Sequence, residues 1–170
     1  MKRYNKLFTL AAIVALVIVG QASAQISASA TGEANARIIK GLSMFKTADL
    51  EFSEIISNGV GGTVTVDAEG NVQYDGVNAY PGSKAPQPAQ FDVRGEAGKH
   101  FSTELPKSIE ITNDSDESMK VTDFTIASEG GYALDKNGMD VLSVGATLNV
   151  NANQAAGFYK GEFKVVVNYN

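Results

Sequence analysis

Cysteine and tryptophan are both missing from these 170 residues, and there is a single histidine. Without cysteine there are no disulfides, no thiol chemistry, no Cys-based zinc site and no acylated N-terminal cysteine to tether the chain. One histidine cannot build a His-based metal cluster. His100 stands beside Phe101 at the start of a strand-like run and reads as structural. Absent too are a G-x-S-x-G elbow, a His-Glu-x-x-His pair, a phosphate loop and a dinucleotide fingerprint. Gly59, Gly61 and Gly62 fall between strand-like segments, where glycine makes a turn rather than a phosphate cradle. These absences predict a non-enzymatic protein with no catalytic residue, no cofactor and no metal ligand.

What is present begins with Lys2, Arg3 and Lys6, then an apolar run from Leu7 to Val19 broken by Thr9, then Ala22-Ser23-Ala24 before Gln25. That order is expected of a cleaved secretory signal over residues 1–24. The run is too short for a membrane-crossing helix, which needs about 20 apolar residues. Three of the 14 basic residues leave with the signal, so 11 face 19 acidic ones and the net charge becomes −8. Nucleic acid is then a poor partner. Residues 25–170 are expected to form one exported domain in the periplasm, on the cell surface or outside the cell, with no membrane span.

Nearly everything after residue 25 repeats with period two, the mark of strands with one face inward. Ile26, Ala28, Ala30, Gly32, Ala34, Ala36 and Ile38 alternate with polar residues, giving a first strand with a shallow apolar face. Leu50 and Phe52 share a face of a short second strand. Val64 and Val66 face Val72 and Tyr74 across Asp67 to Asn71, a predicted hairpin. Residues 75–89 hold three prolines and two glycines and predict a long loop. Phe91/Val93, Phe101/Leu105 and Ile109/Ile111 mark further strands. Around Val121, Phe124 and Ile126 the phase changes, consistent with either a bulge or a strand covered on both faces. Leu142 to Ala152 alternates cleanly, and the last strand puts Tyr159, Gly161, Phe163, Val165, Val167 and Tyr169 on one face. The expected fold is all-β, an antiparallel Ig-like β-sandwich, with a closed barrel as the alternative.

Two ligand-binding patterns stand out. Asn113-Asp114-Ser115-Asp116-Glu117-Ser118 brings side-chain oxygens close together, as a calcium loop does, but lacks the glycine and distal glutamate of an EF-hand and is explained by an acidic hairpin tip. Asn113 also opens an N-x-S sequon. Tyr74, Tyr80 and Tyr132 near loops offer a carbohydrate-binding or adhesive surface, the alternative function for a monomeric domain. Both chain ends suit assembly, because a β-sandwich with an open edge accepts an extended strand from a neighbour. Ile26, Ala28 and Ala30 are the candidate donor residues. Tyr159, Phe163, Val165, Val167 and Tyr169 are the candidate acceptor residues. Pairing of the two ends within one molecule is equally consistent with the pattern.

Ala34-Asn35-Ala36-Arg37-Ile38-Ile39, Ala48-Asp49-Leu50-Glu51-Phe52, Gly61 to Val66, Phe91 to Gly98 and Leu148 to Tyr169 resemble the DUF4402 family of exported bacterial proteins. That resemblance implies kinship without implying a reaction. Leu50-Glu51-Phe52 and the strand from Gly157 to Tyr169 are also similar to chaperone-usher and spore-coat-U-like pilin subunits. Ser53 stands where their pattern has glycine, and their paired cysteines are absent. This second resemblance implies a fimbria-like subunit completed first by a periplasmic chaperone and then by a copy of itself. Gln25 to about Thr31 would be the donor and Tyr159 to Tyr169 one wall of the acceptor.

Overall fold

Most of the alternating segments become strands in the computed structural model, which describes residues 27–170 and has no helix among them. The strands are β1 (Ser43–Ala48), β2 (Ile55–Ile56), β3 (Gly62–Val66), β4 (Val72–Asp75), β5 (Asn78–Ala79), β6 (Ala89–Arg94), β7 (Phe101–Glu104), β8 (Ser108–Thr112), β9 (Ser118–Ser128), β10 (Met139–Val150) and β11 (Val166–Tyr169). All pairings are antiparallel. The chain is an all-β antiparallel sandwich, as its alternation predicts. Residues Ile38–Asn170 make one compact unit, and the residues up to Arg37 belong to another.

β10 organises the larger sheet. On one edge Met139 to Val144 pair with β6, and Ala146 to Val150 pair with β3. On the other edge β9 runs almost the full length, with β8 beyond it. β1 extends the β6 branch and β4 the β3 branch. The two branches part at Gly145, where an added Cβ would lie 2.2 Å from the carbonyl oxygen of Val66. Two further ribbons, β7–β11 and β2–β5, stand apart from this sheet.

The interior falls into two clusters. Phe91, Val93, Phe101, Leu134, Leu142 and Val144 are buried near the Met139 end of β10. Val64, Met119, Val121, Ala146, Leu148 and Val150 are buried near its other end. Leu50 and Phe124 pack against both. Phe163 joins the first cluster edge-on to Phe91 at 6.2 Å and tilted on Phe124 at 5.3 Å, geometry that favours aromatic pairs.

The predicted hairpin forms between β3 and β4, closed by Asp67 and Asn71 and by Gly70 at φ 86°. The phase change resolves as a bulge. Thr122 faces Thr147 and Thr125 faces Gly145, so Asp123, at φ 52°, and Phe124 share one opposing residue. Three expectations need correction. Residues 27–42 contain no strand, and all of them except Leu42 are exposed. Alanine side chains bury too little surface to offset the entropy of ordering the backbone, so alternation alone does not hold such a segment in a sheet. Ile26 lies outside the described residues. The short second strand centred on Leu50 and Phe52 also fails to form. Strand structure stops at Ala48 and resumes at Ile55, with one isolated pairing, Glu51 to Gln87, between. The last strand is likewise reduced to β11 plus the isolated pairing of Lys160 with Thr112.

Candidate functional site

Those two interruptions face each other. Between them lies a groove of about 940 Å³. One wall is the segment from Asp49 to Ser57, the other the segment from Gln154 to Gly161 with Phe163 beyond it. Ile109 and Ile111 of β8, Met119 and Val121 of β9, and Leu148 and Val150 of β10 form the floor. The groove therefore lies over the second core cluster, towards the Val150 end of the sheet.

Local sequence explains the first wall. Leu50, Phe52 and Ile55 are half-buried against the core, while Asp49, Glu51 and Glu54 are exposed. Glu51 exchanges both backbone bonds with Gln87, at 2.9 and 3.0 Å. In an antiparallel ladder successive residues direct their backbone groups to opposite sides, so Leu50 and Phe52 direct theirs away from Gln87. Neither makes a backbone-to-backbone hydrogen bond among the described residues. Ser53 then breaks the alternation with φ 65°, and its hydroxyl donates to the Lys84 carbonyl. The glycine of the pilin pattern occupies the position whose backbone here is left-handed.

The second wall follows the same logic. Lys160 exchanges both backbone bonds with Thr112, at 2.9 and 3.0 Å, fastening the segment to β8. Residues 161–165 then carry no backbone-to-backbone hydrogen bond among the described residues, until Val166 begins the pairing with β7. Tyr159 is held by its hydroxyl, which donates to the Ala155 carbonyl at 2.7 Å and accepts from Gln154 at 2.8 Å. Phe158, 82% exposed, stands on the groove's rim. The pairings make the two walls run in opposite directions. Between them lie an apolar floor and two edges with unused backbone groups, the arrangement that takes up an extended peptide.

Of the candidate acceptor residues, Tyr159 and Phe163 line the groove. Val165 is buried in the first core cluster, and Val167 and Tyr169 lie in β11, where they pack on that cluster. Of the candidate donors, Ala28 and Ala30 are exposed and outside any strand. Sequence reasoning missed the opposite wall. Its signal was the Leu50/Phe52 alternation ending at Ser53 rather than continuing.

The other patterns have local structural roles. The Asn113 side-chain oxygen accepts from the backbone N–H groups of Ser115 and Glu117, at 2.9 and 3.0 Å, closing the β8–β9 hairpin. Among the described residues no group of three or more His, Asp or Glu is placed to hold a metal. Tyr74 packs on the second core cluster and Tyr132 on the first, while Tyr80 is exposed. His100 pairs with Ala133 through the backbone. No helix among the described residues is long and apolar enough to cross a membrane.

No curated protein and no solved structure matches the chain. One family model matches, described as a domain of unknown function, and it covers residues 42–169. The match contains both walls and the floor of the groove and leaves Ala34 to Ile39 outside. The chain belongs to the DUF4402 family.

Proposed function

We propose that the protein is an exported, non-enzymatic structural subunit that assembles by β-strand addition, in the manner of a fimbria. The observation that carries this reading is the groove: two edges, at Leu50 and Phe52 and at residues 161–165, that have no backbone partner among the described residues and face each other over an apolar floor. A strand laid between them would satisfy Leu50 and Phe52 on one side and residues 161–165 on the other. It would run parallel to one wall and antiparallel to its opposite. The N-terminal arm from Gln25 is the donor in this reading, supplied by another copy. Its small alternating residues Ala28 and Ala30 suit a floor whose Met119, Val121, Leu148 and Val150 are already buried. A periplasmic chaperone holds the groove before assembly, and the cell surface is the destination.

Light scattering on residues 25–170 beside residues 33–170 tests the reading. Oligomer ladders from the first and monomers from the second are expected, with a synthetic peptide of residues 25–37 binding the shorter chain. Monomers from both, and no peptide binding, would overturn it in favour of a monomeric adhesive or carbohydrate-binding domain.

A further inference from the structure

The arm joins the body at Lys40, and the body holds that residue by an unusual set of contacts. The Tyr169 hydroxyl donates to the Lys40 carbonyl at 2.8 Å and accepts from the Glu96 N–H at 2.7 Å. The Glu96 carboxylate accepts from the Lys40 N–H at 3.2 Å. Both backbone groups of Lys40 are therefore bonded to a two-residue clamp. Room for it comes from Gly95, where an added Cβ would lie 2.3 Å from the Tyr169 oxygen. The clamp lies beside the Gly95–Gly138 turn, at the Met139 end of β10, and the groove at the Val150 end. Eleven residue steps of β10, about 36 Å at 3.3 Å per residue, separate the two.

We propose that Tyr169 and Glu96 are positioning residues for the arm: they fix where and in what direction it leaves one copy, so that it reaches the groove of the next. This rests on the strand-addition reading and adds a role that the groove itself does not require. Tyr169 does not line the groove, and its β11 pairing with β7 depends on its backbone, not its hydroxyl. Holding a donor at its root lowers the entropy lost on docking. Without the clamp the arm still fits the groove, but association starts from a wider range of directions.

Tyr169→Phe removes the hydroxyl alone, and three measurements test the idea. In residues 33–170 the variant should bind the peptide of residues 25–37 within about twofold of the unaltered chain. In residues 25–170 the same substitution should slow oligomer growth roughly three- to tenfold, the scale of one or two lost hydrogen bonds. Amide exchange at Glu96, which loses its acceptor, and at Lys40 should quicken while β7 stays protected. A parallel loss of peptide affinity would reduce Tyr169 to a structural residue and overturn the proposal, as would unchanged growth. If the peptide fails to bind even the unaltered chain, strand addition itself is wrong. Exchange at Lys40 still reads the clamp in that case, and unchanged exchange would remove the clamp as well.

Discussion

Ser53 shows how one backbone angle shapes a wall of the groove. A side chain in the left-handed region is disfavoured by about 1–2 kcal/mol, and at φ 65° the Ser53 hydroxyl offsets part of this by bonding to Lys84. Ser53→Gly is expected to change stability by less than about 1 kcal/mol, whereas Ser53→Val should lose about 1–3 kcal/mol, since a β-branched residue suits this region least. Urea melts of the two variants check the contrast. Two turn carboxylates act through protons instead. Asp67 is held below the usual carboxylate range by the side-chain amide of Asn71, and Asp135 by the backbone N–H of Met139. Each has a lower pKa folded than unfolded. Their stabilisation is present above the unfolded value, about 3.9, and is lost as pH falls through the folded one. The double variant Asp67→Asn, Asp135→Asn should therefore lose less melting temperature between about pH 5 and pH 2 than the unaltered chain.

Among the elements, β10 is the one whose sequence announces it most clearly and whose surroundings are least forgiving. Leu142, Val144, Ala146, Leu148 and Val150 alternate without interruption, and all are buried. Gly145, between them, contacts the backbone from Val66 to Ala68. Gly145→Ala should lose about 1–3 kcal/mol through overpacking, visible as a lower denaturation midpoint, because a backbone carbonyl cannot rotate away as a side chain would. The β3–β4 hairpin was equally legible, since its turn residues and flanking valines agree locally. The arm and the 49–57 segment were not. Period two reports which side chains face inward, and it does so correctly for Leu50 and Phe52, but whether an edge finds a partner depends on residues far away in the chain. The groove's Tyr159 and Phe163 could be read from alternation. The gap beside them could not.

At the scale of the whole molecule, two core clusters are joined by one sheet, and the half beneath the groove is where stability and the proposed strand addition would meet. Leu148→Ala removes a buried side chain from the second cluster and should lose about 2–5 kcal/mol, measurable by denaturant unfolding, with peptide binding at the groove weakened as the floor relaxes. The position of β10 in the chain has a further effect. Both branches of the larger sheet, and β9 as well, meet on a strand that begins only at Met139. Such distant pairings bring slow folding, on the order of milliseconds to seconds. A chain ended at Gly138 is expected to show no cooperative melting transition, because β3 and β6 have no common partner until β10 arrives. The order in which residues become available is thus expected to work as a timer, with the larger sheet closing only once its penultimate strand is present.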